Sequence, residues 1–290
     1  MNTNWKEISI TINKLALESL ANFLYEYGAE GITITNDEQF IESENSVLKA
    51  YFLEDNIRSD SLVEAINNQL ENNIKSININ QLKEEDWAND WKKYFEVFKV
   101  GQHLVIKPVW QDYSAKKDDI VINFDAGSFF GSTPHPSTKL CLEEIEKIAL
   151  TVANKKNYNI LDLGSGSGIL SLALYALGLK NITAIDIDPV AIRNSKDNFD
   201  LNKIDIKLFQ GEIKDCYDTY DLIAGNLLAE TIEELSDQIS NKLNIDGVFI
   251  GAGITKNNLH IVEKSLNKVN MKILELRYSD EWVLVKAIKI

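Results

Sequence analysis

The chain has 290 residues, 44% of them hydrophobic and 26% charged, a globular composition longer than one average domain, so two domains are expected. Its 44 acidic against 30 basic residues give a formal net charge of -14, which repels polyanions: direct nucleic-acid readout is disfavoured, and a basic protein or cationic small molecule is the more natural partner. Two cysteines, Cys141 and Cys216, and three histidines, His103, His135 and His260, lack the spacing of a disulfide framework or a metal centre, so no metal is expected and a reducing compartment fits.

The first residues, Met1-Asn2-Thr3-Asn4-Trp5-Lys6-Glu7, lack an apolar signal core, and the longest nearly apolar stretch, 169–179, falls short of the about 20 residues of a bilayer-spanning helix. A soluble cytoplasmic protein, with no membrane partner and monomeric, is expected. Residues 1–85 hold 15 acidic and 6 basic residues, a more acidic balance than the rest, which suggests a separate amino-terminal module. Within it, 5–12 alternates like a half-buried strand, 15–27 carries apolar residues at helical spacing, and Gly28 closes that helix. Strands follow at 31–35 and 47–53, then a helix at 61–70 and a strand at 76–82. Strand, helix, strand, strand, helix, strand is the ferredoxin-like succession, a small α+β sandwich.

Residues 86–98 read as an amphipathic linker helix in which Trp87, Trp91, Tyr94, Phe95 and Phe98 recur at steps of three and four. Without interleaved basic residues, this stripe suits packing rather than stacking on nucleic-acid bases. A larger domain spans 99–290. Strands are expected at 104–106 and 120–124, then a loop punctuated by glycine and proline, 127–138, and a helix at 139–153 with Leu140, Ile145, Ile148 and Val152 inward. Beyond it strands and helices alternate to the end, which predicts an α/β, Rossmann-like doubly wound parallel sheet with helices on both faces.

The chemistry concentrates at Asn159-Ile160-Leu161-Asp162-Leu163-Gly164-Ser165-Gly166-Ser167-Gly168, which joins an apolar strand to a helix at 169–177. Such a turn is the usual place for a nucleotide-like ligand in these sheets. Gly164 and Gly166 permit the tight turn and let the backbone approach a ligand, and Gly168 lets strand and helix pack closely. The spacing is G-x-G-x-G; Ile169 stands where the dinucleotide fingerprint needs a glycine, so hydride chemistry is disfavoured. The next strand, 181–186, ends in Asp186, 22 positions after Gly164, where a carboxylate accepts ribose hydroxyls. Asp188 before Pro189 reads as a helix cap. The fourth strand, 221–225, delivers Asn226 to the same edge, with a side-chain donor and an acceptor.

Together these features resemble the class I S-adenosylmethionine-dependent methyltransferases. Asp86-Trp87 with Trp91 before Pro108-Val109-Trp110, Phe130-Gly131 with His135-Pro136-Ser137-Thr138, Leu140-Cys141-Leu142-Glu143 and Asn226-Leu227-Leu228-Ala229 narrow it: the chain resembles the bacterial methyltransferases of large-subunit ribosomal protein eleven. The likeness runs over nearly the whole length, including Trp5-Lys6-Glu7, Tyr27-Gly28-Ala29 and Glu281-Trp282-Val283. It implies a substrate-recognition domain, a helical linker and a catalytic domain, methylating amino groups (lysine side chains, the N-terminal amine, or both) of that basic ribosomal protein. It also implies S-adenosylmethionine as cofactor, with contacts at Thr138, Gly164, Asp186 and Asn226; the backbone-approach argument adds Gly166. Where the family loop reads F-G-T-G-T-H-P-T-T, this one has Phe130-Gly131-Ser132-Thr133-Pro134-His135-Pro136-Ser137-Thr138. No catalytic base is assigned, because a carboxylate on the attacking ammonium would hold its proton more tightly. The Asn-Pro-Pro-Tyr sequence associated with methylation of planar amide nitrogens is absent at Asn226, which leaves amines ahead. The competing readings are a methyltransferase of another protein or a small amine, and a non-catalytic ribosomal-protein binder.

Overall fold

The structure, a computed structural model, describes residues 4–13, 16–29, 31–35, 45–53, 59–70, 73–83, 96–125 and 135–290. These fall into two compact units, one within 4–83 and one from residue 96 onward. The first runs β1 Asn4–Asn13, α1 Leu17–Glu26, β2 Gly31–Thr35, β3 Asn45–Leu53, α2 Ser59–Leu70 and β4 Ile74–Lys83. Its sheet has the order β2-β3-β1-β4 with every neighbour antiparallel, the split βαβ arrangement of ferredoxin-like domains. Period-two alternation sends Ile8, Ile10 and Ile12 of β1 and Leu48, Ala50 and Phe52 of β3 to one face. The helices meet that face through pairs four residues apart, Leu20 with Leu24 and Leu62 with Ile66. Truncating one of these leucines to alanine costs about 2–5 kcal/mol on general grounds. Gly28, at φ 93°, turns the chain out of α1, and the Ala29 amide donates back to the Leu24 carbonyl at 2.9 Å.

The second unit opens with a small sheet of β5 Phe98–Val100, β6 Leu104–Pro108 and β7 Ile120–Phe124. Most of the expected aromatic linker helix lies outside the described residues, but its end is corrected: Glu96 and Val97 are irregular and Phe98 is a strand residue. Ladder pairing overrides the helical spacing there. Gly101, at φ 61°, reverses the chain so that β5 pairs antiparallel with β6. The turn is held by Glu146, whose carboxylate accepts from the amides of Gln102 (2.6 Å), His103 (2.7 Å) and Leu104 (3.3 Å).

Glu146 belongs to α3 Pro136–Thr151, which starts three residues earlier than expected. His135 caps it, accepting from the Ser137 amide, and Pro136 supplies the fixed φ of the first helical position. Val152 lies past the end of α3 in extended conformation, where it is half-buried rather than part of the helix's inner face. After α3 come β8 Ile160–Leu163, α4 Ile169–Ala176, β9 Ile182–Asp186, α5 Pro189–Leu201, β10 Lys207–Gln210, β11 Tyr220–Asn226, α6 Ala229–Lys242, β12 Leu243–Thr255, α7 Leu259–Lys268, β13 Met271–Ser279 and β14 Trp282–Lys289. The sheet order is β10-β9-β8-β11-β12-β14-β13.

The first five strands of that order are parallel, whereas β14 runs antiparallel to both β12 and β13. The expectation of parallel alternation to the end is therefore corrected at the last two strands. Asp280 and Glu281 form a two-residue turn between paired Ser279 and Trp282, with Asp280 at φ 49°; so short a connection joins only antiparallel neighbours. Among the described residues no helix is long and apolar enough to cross a membrane.

Candidate active site

The strand β8 has β9 and β10 on one side and β11 and β12 on the other, so the chain switches direction of growth beside it. A ligand crevice belongs at the carboxyl ends of strands at such a switch. The glycine turn stands there. Gly164, Gly166 and Gly168 have φ of 74°, 55° and 78°, values that disfavour any residue with a Cβ.

Their surroundings differ. A Cβ on Gly166 would meet nothing within 4 Å, whereas one on Gly164 would strike the Leu227 side chain at 2.6 Å, and one on Gly168 the Phe199 ring at 2.6 Å. Gly164 and Gly168 are thus glycines for close packing, and Gly166 alone leaves open space. The amides of Gly164 and Ser165 donate to the Ile185 carbonyl, and that of Gly166 to Asp186 Oδ2 at 2.9 Å. The turn spends these amides on its own shape and presents clearance at Gly166.

Asp186 ends β9. Each of its oxygens takes one backbone hydrogen bond, from Gly166 and from Asp188 (3.0 Å), and a carboxylate with about four acceptor sites keeps capacity for two hydroxyl groups. Asp188 itself accepts from Val190 and caps α5 ahead of Pro189, in the structural role read from its sequence. Ile187, between the two aspartates, is 71% exposed.

At the end of β11 the Asn226 amide nitrogen donates to the buried Thr138 hydroxyl at 3.0 Å. That bond fixes the side chain so that Oδ1 remains the acceptor. Asn226 is not a helix cap: Leu228 holds that position before α6. A Cβ on Gly253, at φ 83° in β12, would lie 2.6 Å from the Leu227 carbonyl oxygen and 3.0 Å from Asn226 Oδ1, so two neutral acceptors converge on that glycine. Sequence reasoning missed Gly253; its signal was the Gly251-Ala252-Gly253 run, which pairs with the end of β11. It also missed the Leu227 side chain, which packs against both Gly164 and Gly225 and so ties the glycine turn to β11.

Asp162, inside β8, is fully buried. Its Oδ2 accepts from the Ser171 amide (3.0 Å) and hydroxyl (2.6 Å), while Oδ1 has no hydrogen-bond partner among the described residues. Burial pushes its pKa up to about 6, the Ser171 hydrogen bonds oppose the rise, and the nearby Asp186 charge adds to it. His135 packs edge-on against Trp282 with ring centroids 4.2 Å apart, which together with its capping role makes it a packing residue.

Of the five positions read as cofactor contacts, Gly164, Gly166, Asp186 and Asn226 stand at the carboxyl ends of parallel strands and Thr138 meets that edge from the first turn of α3; Gly166 is bonded to Asp186, Asn226 to Thr138, and Gly164 packs on the Leu227 side chain. Clearance at Gly166, spare acceptor capacity at Asp186 and an exposed apolar side chain beside it suit an adenosyl group. Strand order, glycine turn and acidic end of the second parallel strand together define a class I, S-adenosylmethionine-dependent methyltransferase.

Comparisons with known proteins narrow the class. The family model described as ribosomal protein L11 methyltransferase (PrmA) matches residues 4–289. The chain is 33% identical to the ribosomal protein L11 methyltransferase of Caldicellulosiruptor saccharolyticus, over 98% of this chain and 99% of that one, and 34% identical to that of Geotalea daltonii, over 97% of each. A crystal structure of the ribosomal protein L11 methylase from Lactobacillus delbrueckii subsp. bulgaricus is similar with a TM-score of 0.61 and 32% identity, covering 68% of this chain and all of that one. The chain belongs to the ribosomal protein L11 methyltransferase family.

Proposed function

We propose that this protein transfers methyl groups from S-adenosylmethionine to amino groups of ribosomal protein L11, lysine side chains, the N-terminal amine, or both. The observation that carries the reading is the joined edge of the sheet: Gly166 bonded to Asp186 on one side of the turn, and Asn226 bonded to Thr138 on the other. Thr138, Gly164, Gly166, Asp186 and Asn226 would hold the cofactor, which supplies a methyl on a positively charged sulfur. Asn226 Oδ1 and the Leu227 carbonyl orient the incoming nitrogen as neutral acceptors.

The attacking nitrogen must be neutral, whereas a free lysine with pKa near 10.4 is mostly charged at pH 7.4, a penalty of about 4 kcal/mol at about 1.36 per pH unit. A carboxylate on the amine would deepen that penalty. Neutral acceptors do not, and they leave positioning and desolvation to lower the barrier. The amino-terminal unit, with its own core and acidic balance, recruits the basic substrate while 99–290 performs the transfer.

The test is mass spectrometry of purified ribosomal protein L11 incubated with the enzyme and methyl-labelled cofactor. Added mass in steps of one methyl is the expected result. An unmodified substrate beside an enzyme that binds cofactor would favour the non-catalytic binder, and equal turnover of a free small amine by chains with and without residues 1–85 would favour a different substrate.

A further inference from the structure

Beneath the glycine turn, α5 presents a buried row at helical spacing. Ser195 donates to Ser165 Oγ or to the Gly166 carbonyl (3.1 and 3.0 Å), and Phe199 lies against Gly168. Between them Asn198, 1% exposed, uses its whole carboxamide. Its Oδ1 accepts from the Asp125 amide at 2.8 Å, and its two N–H groups donate to the Asp125 carbonyl (2.8 Å) and the Ser167 carbonyl (3.0 Å).

Just past the end of α5, at its carboxyl cap, Asn202 makes the same paired contact with Asn123, accepting from its amide at 3.0 Å and donating to its carbonyl at 2.6 Å. The two asparagines sit four residues apart, one in the last turn of α5 and one at its carboxyl cap, and meet backbone groups two residues apart at the end of β7, so they complete the hydrogen bonding of an edge strand. They differ in one respect. Asn198 reaches the glycine turn, and Asn202 instead spends its remaining contact on the Asn198 carbonyl of its own helix at 2.8 Å.

We propose that Asn198 is a positioning residue of the methyl-transfer site, locking the chain at Asp125 to the Ser167 carbonyl and thereby setting the glycine turn in its cofactor-holding shape. The assignment rests on the reading of that turn as the S-adenosylmethionine site. A buried amide with all its donors engaged has one orientation, and a turn held by it does not relax when a ligand leaves. Asn198 bonds the glycine turn that holds the cofactor and makes no hydrogen bond to Asn226, which orients the amine, so it acts on cofactor affinity and leaves the chemical step alone.

The experiment compares full-length wild type, Asn198→Ala, Asn198→Asp and Asn202→Ala by calorimetric titration with S-adenosylhomocysteine, thermal melting, and kcat and KM for the cofactor. Asn198→Ala is expected to raise the Kd about tenfold and KM with it, with kcat within about twofold. Asn202→Ala, despite a comparable fall in Tm, is expected to stay within twofold in Kd. Should Asn198→Ala fail to fold, Asn198→Asp, which keeps the acceptor and loses both donors, is read by the same criteria. Equal weakening in the 198 and 202 variants, or a Kd within twofold in both 198 variants, overturns the proposal. A wild type that binds no S-adenosylhomocysteine overturns the cofactor reading itself, whereas tight binding in wild type and 198 variants alike overturns the positioning role alone.

Discussion

The two sheets keep their polar groups in different places. Every residue of β8 is buried, as a parallel strand covered by helices on both faces requires, so the seven-stranded sheet has only its edge to offer a ligand. The four-stranded sheet packs one face on helices, and the other carries a hydrogen-bonded cluster. Glu7 there accepts from Lys49 (3.2 Å), Tyr51 (3.3 Å) and Asn80 (3.2 Å), beside exposed Asn78. An edge concentrates function in a few side chains whose loss is severe, and a face spreads it over many whose individual loss is mild. This contrast matches the proposed division between transfer and recruitment.

The contrast breaks most visibly at Asn226. Replacing it with alanine is expected to lower kcat by about a hundredfold or more, the scale of losing a preorganised polar group at a reacting atom. If kcat and cofactor affinity both stayed within about twofold, the orienting role would be lost. Gly253→Ala should act in the same direction while leaving residue 226 an asparagine, since the new methyl would press on both Asn226 Oδ1 and the Leu227 carbonyl, and a fully active Gly253→Ala enzyme would count against the paired-acceptor site.

The next effect is on stability. Asp162 has a folded pKa of about 6 against an ordinary 3.8, so the folded chain holds a proton that the unfolded chain releases between those values. The stabilisation is fully present below about pH 4 and is lost as pH rises through 6, amounting to up to about 3 kcal/mol. Asp162→Asn should flatten that dependence. Urea midpoints of both proteins from pH 4 to pH 7 check it, and parallel curves would refute the buried-acid assignment.

On the other face of the four-stranded sheet the effects shrink. Glu7→Gln removes a charge paired with a partly exposed lysine and is expected to cost about 1 kcal/mol in chemical denaturation, with kcat unaltered. A large loss of turnover instead would show that the face is not separate from the chemistry. The smallest effect is collective: with a net charge of -14, kcat/KM for the basic protein substrate should fall severalfold between about 50 and 300 mM salt, and a flat profile would remove electrostatic steering.

Much of this edge was legible in the sequence because its groups on the sheet close strands, whereas Thr138, in the first turn of α3, came only from the family resemblance. Asp186 and Asn226 follow apolar runs of period two or full burial, and the glycine turn punctuates a strand-helix junction, so local pattern and spacing sufficed. Elements in the first unit were legible for the same reason, down to Gly28. What escaped depends on contacts between distant segments. Gly253 matters only because β12 pairs beside β11, and Asn198 only because α5 crosses the end of β7. The reversal of β14 turned on two residues, Asp280 and Glu281, too polar and too few to be told from a loop leading to another helix. Phe98 was misread because a periodic aromatic row carries no mark of where helix gives way to ladder.

The inner place of β14 has a consequence for how the molecule is born. This strand, Trp282–Lys289, is inserted between β12 and β13, although it is made after both. During synthesis β12 must wait with an unpaired border and β13 without any neighbour until residues near 289 leave the ribosome. The four-stranded sheet, whose strands end at Lys83, has no such delay, so the amino-terminal unit is finished well before the seven-stranded sheet closes.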